Sequence, residues 1–234
     1  MNKLRKFSSE LKFHDRPTRA HMLFDKYKEI LTSSVLDVGA DAMYMQKLIL
    51  SQDVKYVGIG YGENIDFEVN LEDLPLDFES NSFETVLCFD VLEHLENLHQ
   101  MFDELCRISD KYVIISLPNP WKDFFSVLLK GDYSIDESMK FYGLPVQKPK
   151  DRHRWFFSES DAIRLISELA KKNNYTVIQQ DSDGDSLPLG GRGLYGMVAR
   201  LILRLLFRKD INTCALSHGT SYYVLQKNET LVCK

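Results

Sequence analysis

Residues 33–39 read SSVLDVG, an apolar run of strand-forming residues that ends in Asp37, Val38 and Gly39. Glycine at the end of a strand lets the backbone approach a ligand closely, and the following helix N-terminus can receive polar groups. Ligands of doubly wound sheets bind at the carboxyl ends of the strands. The run therefore favours a binding site at Gly39. Alone it is weak evidence for such a site, and the segments that follow it decide how specific the pattern is.

Short apolar runs alternate with helical patterns over most of the 234 residues. This alternation predicts a parallel sheet with helices on both faces. The predicted strands are 33–39, 55–60, 64–71, 82–90, 111–117, 175–180 and 220–227. The predicted helices are 20–31, 45–50, 98–108 and 158–174, the last with a capping pattern of Ser158 and Asp161. We expect one α/β domain over 1–234, with a doubly wound, mostly parallel, seven-stranded sheet.

Two insertions interrupt the alternation, at about 118–157 and about 183–217. The first is rich in aromatic residues and is expected to be a lid over an acceptor. The second predicts a basic amphipathic helix at 194–208 that could contact an anionic membrane or a lipid-linked substrate. Packing of its apolar stripe on the domain is the interpretation we favour. The stripe is Leu194, Val198, Leu201 and Leu205, and the basic residues are Arg200, Arg204 and Arg208.

The composition limits the partners and the compartment. A net charge of −5 and a pI near 5.7 argue against a nucleic-acid partner, because phosphate neutralisation needs a basic surface. The four cysteines form no CxxC pair, and Cys88 and Cys106 lie in apolar runs, as is typical of core residues in a reducing compartment. The sequence has neither an apolar leader nor a run of 18 uncharged apolar residues. We predict a cytoplasmic protein, with the oligomeric state open.

Four segments in order carry a resemblance to a known family: SSVLDVG, NLEDLP at 70–75, SFETVLCFDVLEHL at 82–95 and YVIISLPNP at 112–120. Together they resemble the class I S-adenosylmethionine (SAM)-dependent methyltransferases, which have a Rossmann-like sheet with an antiparallel last strand. The segment GLPVQKPKDRHRWFFS at 143–158 is similar to methyltransferases of bacterial surface-polysaccharide gene clusters. The resemblance implies SAM as methyl donor. It also implies O-methylation of a small or lipid-linked acceptor, such as a surface-glycan sugar.

The resemblance also implies roles for individual residues. Asp37 and Gly39 would line the methionine end of SAM, with Ala40 beside them. Gly60 would meet the ribose, with Tyr61 next to it. The remaining positions are Asn70 and Leu71, which would flank the adenine, and Asp90, which would face the reacting centre.

Two departures from the family pattern bear on activity. The usual Gly-x-Gly-x-Gly loop reads Gly39-Ala40-Asp41-Ala42-Met43, and Asp41 adds a negative charge near a carboxylate. Gly60 replaces the acid that bonds the ribose hydroxyls, so Gly60→Asp is expected to tighten binding, and Glu63 lies close enough in sequence to substitute. These losses favour an alternative function, a non-catalytic binding or scaffolding protein. The lid and the DVLEHL segment favour an enzyme.

His94 and His153 are the candidate proton acceptors, since imidazole titrates near neutral pH. His94 is better explained as a buried or capping residue of a helix that starts at Val91. His153 lies in the insertion expected to cover the acceptor and so is the stronger candidate, although it could instead pair with Asp151 and order the loop. Asp90, Glu93 and His94 also stand at i, i+3 and i+4. With His153, they resemble the acid-x-x-Glu-His pattern that holds Mg²⁺ in some methyltransferases of ubiquinone biosynthesis and small-RNA ends. A metal-free role for Glu93 is that of a helix N-terminal acid, so the sequence leaves the metal unknown.

Overall fold

The structure is a computed structural model that describes residues 13–62, 64–122, 124, 152–184, 194, 197, 198, 201, 202, 205 and 218–229. Its main helices are α1 (Arg16–Tyr27), α2 (Gln46–Leu50), α3 (Leu98–Ile108) and α4 (Glu159–Lys172). Its strands are β1 (Ser34–Val38), β2 (Lys55–Gly60), β3 (Phe67–Glu68), β4 (Phe83–Phe89), β5 (Ser109–Pro118), β6 (Tyr175–Gly184) and β7 (His218–Lys227).

The seven strands form one sheet in the order β3-β2-β1-β4-β5-β7-β6. β1 pairs in parallel with both β2 and β4, so the direction in which the chain adds strands reverses between β1 and β4. β7 is antiparallel to β5 and β6. The predicted doubly wound, mostly parallel sheet with an antiparallel last strand is confirmed, and it places a ligand crevice at the β1–β4 boundary.

The apolar core lies on both faces of the sheet, because side chains of successive strand residues point to opposite sides. On one face, Leu36 and Val86 belong to the same buried cluster as Phe102 of α3. On the other, Leu87 belongs to a cluster with Leu23 of α1. Cys88 and Cys106 are free and buried, as the sequence predicted.

Helix α1 begins earlier than the sequence pattern predicted, at Arg16 rather than at residue 20. Asp15 caps it, with its side chain accepting from the Thr18 amide at 2.8 Å, while Thr18 closes a capping box. A capping box satisfies amide groups that the first helical turn leaves without partners. The added turn contains Arg16 and Arg19, and both line the ligand crevice.

The loop after β1 has a left-handed backbone at the three positions where the family pattern has glycine. Gly39, Asp41 and Met43, the positions at which the family pattern has glycine, have φ values of 80°, 46° and 56°. The Gly39 and Ala40 amides both donate to the Ile59 carbonyl, at 2.8 and 3.1 Å, which fixes the loop to the end of β2. Each non-glycine residue in this left-handed region costs about 1–2 kcal/mol.

Packing around Met43 offsets part of that cost. The Met43 side chain is buried, and its sulfur lies 3.8 Å from the Tyr56 hydroxyl. The space that it fills is left by Gly58 in β2, where a Cβ atom would stand 2.1 Å from the Met43 sulfur. Met43 and Gly58 are therefore complementary: the glycine that is absent from the loop is present in the neighbouring strand.

We predict that Gly58→Ala lowers the free energy of unfolding by about 1–3 kcal/mol, because the new methyl group overlaps the Met43 side chain. In a Met43→Ala background the same substitution should cost clearly less, because the overlapping sulfur is gone. Urea unfolding of the wild type, both single variants and the double variant checks this coupling. Additive losses would contradict the proposed complementarity.

Candidate active site

A cleft of about 640 Å³ opens at the carboxyl ends of β1, β2 and β4. Its volume lies within the range of small-molecule sites. Eight of the ten site residues predicted from the sequence line it: Asp37, Gly39, Ala40, Tyr61, Asn70, Leu71, Asp90 and His94. Gly60 and His153 are the two that are not among the described lining residues.

Gly60 has a structural role that the sequence did not reveal. Its φ is 135°, and a Cβ atom there would lie 3.1 Å from the Gly39 Cα. Residues with a side chain rarely adopt this conformation, which costs on the order of 1–3 kcal/mol. The substitution Gly60→Asp, expected from the sequence to tighten SAM binding, would therefore also strain the contact between β2 and the loop, and its effect on binding stays a prediction. Glu63, the suggested substitute, lies outside the described residues.

Asp37 is a buried carboxylate in the lining of the cleft. Its side chain accepts a hydrogen bond from the Tyr56 hydroxyl at 2.6 Å. Burial raises the pKa of Asp37 to about 6, although the bond from Tyr56 works in the opposite direction. An ionised buried carboxylate is stabilised by a nearby positive charge. An ionised Asp37 therefore favours the binding of a positively charged ligand group in the cleft.

Asp41, which the sequence suggested would repel a carboxylate, is paired. Arg16 from the first turn of α1 donates to the Asp41 carboxylate at the rim of the cleft. Both side chains are at least half exposed, so the pair contributes little to stability. Its effect is local, since Arg16 partly neutralises the charge of Asp41 where the loop meets the cleft.

Asp90 lies at the centre of a polar network at the end of β4. Arg19 donates to the Asp90 carboxylate, and the Ser116 hydroxyl donates to it at 2.6 Å. Arg19 also donates to the Tyr222 hydroxyl at 2.8 Å. Burial works to raise the pKa of Asp90, but the Arg19 charge and these hydrogen bonds outweigh it and hold the pKa below its ordinary value. Asp90 is therefore an ionised, tightly held carboxylate and a weak proton acceptor.

The loop that contains Asn70 is held by its own side chains. The Asn70 amide donates to Asp73 at 3.0 Å, and its oxygen accepts from the Glu72 amide at 3.2 Å. The Glu72 carboxylate in turn accepts from the Glu96 amide at 2.9 Å, just before α3. Asn70 and Leu71 line the cleft as predicted, and Glu72 connects their loop to the segment that contains His94.

The structure brings together His94 and His153, with ring centroids 4.5 Å apart and an interplanar angle of 82°. The helix expected to start at Val91 is a short 3₁₀ turn, Leu92–His94, with Val91 at its N-cap, and His94 ends it. The longer helix α3 begins at Leu98, as predicted. Glu93 is fully buried, with an oxygen 3.8 Å from the His94 Nε2 atom. His94 is among the described residues that line the cleft, and His153 lies close enough to the cleft residue Asp90 for its charge to act on that carboxylate.

Glu93, His94 and His153 could together hold a metal ion, because each offers one ligand atom and these atoms lie within 4.8 Å of one another. Asp90, the fourth residue of the predicted set, is held by Arg19 and Ser116 instead. Two imidazoles and one carboxylate suit a transition metal better than Mg²⁺, which prefers oxygen ligands.

Residues 152–157, which we call the docking segment, fix the position of His153. The Arg154 amide donates to the Glu93 carbonyl at 2.8 Å, and its guanidinium donates to the His94 carbonyl at 2.7 Å. The Trp155 indole donates to the Leu95 carbonyl at 2.6 Å. Sequence patterns gave no sign of these contacts, which join groups far apart in the chain.

The two ends of the first predicted insertion lie against each other. The rings of Trp121 and Phe156 meet edge to face, with centroids 5.0 Å apart. Trp121 also contacts Phe124, at 6.5 Å between centroids. The rest of the predicted lid lies outside the described residues, so its function as a lid stays a prediction.

A family model described as a methyltransferase domain matches residues 13–180 of the chain. This match includes β1 to β5, the cleft and the docking segment. Among curated proteins, no relative with significant sequence similarity is found.

Solved structures resemble this chain in fold, at low sequence identity. The methyltransferase domain of the bacterial protein CtHen1-C has a TM-score of 0.57 at 15% identity, covering 91% of this chain and 98% of that one. Magnesium protoporphyrin IX methyltransferase from Synechocystis PCC 6803, solved with bound SAH, has a TM-score of 0.54 at 12% identity, covering 91% and 83%. The [4+2]-cyclase SpnF has a TM-score of 0.54 at 11% identity, covering 98% and 88%. A likeness at this low sequence identity establishes the fold alone, so the reaction has to be inferred from the residues of the site.

We predict that, because of Asp37, the free energy of unfolding falls as the pH rises from 4.5 to 8. The pKa of an ordinary unfolded aspartate is about 3.9, whereas the pKa of Asp37 in the folded chain is about 6. Between these values the folded chain binds a proton that the unfolded chain does not, and the free energy of unfolding falls as the rising pH removes that proton. Relative to Asp37→Asn, the wild type should lose about 2 kcal/mol between these pH values. Urea unfolding of both proteins at the two pH values measures the difference, and an equal loss in both would contradict the raised pKa.

Proposed function

The chain belongs to the family of S-adenosylmethionine-dependent methyltransferase domains, and we propose that it methylates a hydroxyl of a small or lipid-linked acceptor, such as a sugar of a surface glycan. The observation that supports a catalytic function best is the pair His94 and His153, which two distant segments bring together beside the cleft. Methyl transfer to a hydroxyl needs an acceptor for the hydroxyl proton, and imidazole suits that task near neutral pH.

The described residues of the cleft fit SAM. Asp37 offers a buried carboxylate to a cationic group, and Arg16 and Arg19 offer positive charge to a carboxylate. Leu71 and Leu95 offer apolar surface to a ring. SAM itself supplies a methyl group on a positively charged sulfur, so the protein's main tasks are to orient the acceptor and to take its proton.

His94 is the residue that we assign to take that proton, because it is the member of the pair that is among the described residues lining the cleft. When the hydroxyl oxygen bonds to the methyl carbon, the carbon–sulfur bond of the donor would break and SAH would leave, while the hydroxyl proton would pass to an imidazole nitrogen of His94 and then to solvent. His153 and the Arg154 contact to the His94 carbonyl fix the ring's position. This assigns the direct role to His94 and the supporting role to His153, the reverse of the order suggested by the lid position of His153.

A second mechanism is favoured by the cluster of Glu93, His94 and His153. A divalent metal held by these three residues would lower the pKa of a bound acceptor hydroxyl and remove the need for a general base. The two mechanisms differ in their response to a chelator and in the importance of Glu93.

The alternative function, a non-catalytic binding or scaffolding protein, is favoured by the side chains at positions 41 and 43 and by the glycine at position 60. The structure weakens that case, because the loop keeps its left-handed backbone and Arg16 pairs with Asp41. A direct test is incubation with SAM and a panel of monosaccharides, nucleotide-linked sugars and polyprenyl-linked sugars, with S-adenosylhomocysteine (SAH) as the measured product. SAH formed with one acceptor class supports the enzyme. SAH binding with no turnover on any acceptor would favour the scaffold.

We predict that Asp41→Asn tightens SAH binding by about threefold, because it removes a partly screened negative charge near the ligand's carboxylate and leaves Arg16 available to it. Calorimetric titration measures the dissociation constant. Asp53→Asn is the matched control, since Asp53 is also an exposed aspartate with a left-handed φ of 60° but does not line the cleft. Weaker binding by Asp41→Asn would contradict the expectation and show that the ion pair is needed to hold the loop.

We predict that His94→Ala lowers kcat by about a hundredfold or more and leaves SAH affinity unchanged, because it removes the proton acceptor and not a donor contact. His153→Ala should lower kcat less, and a chelator should have no effect. His21→Ala, at an exposed position of α1, is the control.

The metal mechanism predicts a different pattern for the same assay. A chelator would abolish turnover, and Glu93→Ala would be as damaging as either histidine change. Full activity of both histidine variants would remove both mechanisms.

A further inference from the structure

The second predicted insertion contains a helical face that is exposed. Six described residues are helical and recur at helical spacing, which places them on one face: Leu194, Met197, Val198, Leu201, Ile202 and Leu205. Their exposed fractions run from 45 to 73%. The expectation that this apolar stripe packs against the domain is therefore wrong for the described residues. Contiguous exposed apolar patches of this kind mark interaction sites.

The sequence around this face is strongly basic. Residues 190–209 contain four arginines, one lysine and no acidic residue, whereas the whole chain has a formal net charge of −5. An anionic lipid surface complements this segment in two ways, because its acyl chains match the apolar face and its negative charge matches the basic residues. A second copy of the chain complements it poorly, because two such segments would bring like charges together.

The length of the face decides how it would meet a membrane. A helix that runs over the positions from Leu194 to Leu205 would be about 17 Å long, whereas a bilayer's hydrocarbon core is about 30 Å thick. Within the residues that the structure describes, no helix is long and apolar enough to cross a membrane. A helix of this kind lies in the plane of the interface, with its apolar face among the acyl chains and its basic residues near the headgroups.

We propose that the face formed by these six residues docks the protein on anionic lipid bilayers. The attraction has two parts, burial of the exposed leucine, isoleucine, valine and methionine side chains and pairing of the segment's arginines with lipid phosphates. This inference goes beyond the proposed methyl transfer and does not depend on it, because it concerns a separate segment and a partner other than the donor.

The test is co-sedimentation of the full chain with vesicles of phosphatidylcholine and phosphatidylglycerol, compared with vesicles of phosphatidylcholine alone. The wild type should sediment with the anionic vesicles at low salt and be released at high salt. The triple variant Arg200→Gln, Arg204→Gln and Arg208→Gln should bind more weakly by about fivefold for each arginine.

The apolar part of the proposal is tested by Leu201→Gln with Leu205→Gln, which should weaken binding by about tenfold or more. Leu50→Gln is the matched control, since Leu50 is a leucine of α2 that is 50% exposed. It should bind as the wild type does, and unchanged thermal unfolding midpoints should show that all variants fold.

Three outcomes would overturn the proposal. The wild type could fail to sediment with anionic vesicles at low salt. The leucine pair could bind as the Leu50 variant does. A concentration-dependent dimer that Leu201→Gln and Leu205→Gln dissociate, with no vesicle binding, would assign the face to a second copy of the chain instead.

Discussion

One carbonyl group determines the geometry on which the cleft depends. The Ile59 carbonyl at the end of β2 accepts from the amides of both Gly39 and Ala40. These two bonds turn the chain sharply after β1, and the following loop continues in the left-handed conformation at Asp41 and Met43. The next residue, Gly60, has a φ of 135°, and a Cβ atom there would lie 3.1 Å from the Gly39 Cα. The backbone thus gives a reason for glycine at position 60 that is separate from ribose binding.

The sequence predicted the sheet well because its central strands are buried and continuous in apolar character. β2 and α3 have the predicted bounds, and the Ser158 capping box was visible as a pattern. The third strand was predicted too long, because only Phe67 and Glu68 pair with β2 at the exposed edge of the sheet. The start of α1 was missed because its first turn is polar and is defined by a cap rather than by apolar periodicity.

The site was predicted in its outline but not in its connections. The family pattern gave the cleft residues, because they follow the strand ends of a known topology. Arg16, Arg19 and Arg154 carried no local signal, since each acts on a group that lies far away in the chain. Of these contacts, the one between Arg16 and Asp41 compensates a departure from the family pattern, because it partly neutralises the added charge. Arg19 engages Asp90, and the docking segment holds the segment of the histidine pair.

The central claim is that the loop keeps a working donor site despite its composition. Calorimetric titration of the purified chain with SAH tests this most directly, because it needs no acceptor. The account predicts saturable binding of one SAH per chain, with the thermal unfolding midpoint rising as SAH is added. No heat of binding and no thermal shift at millimolar SAH would contradict it, and would show that the left-handed loop is only a relic of the fold.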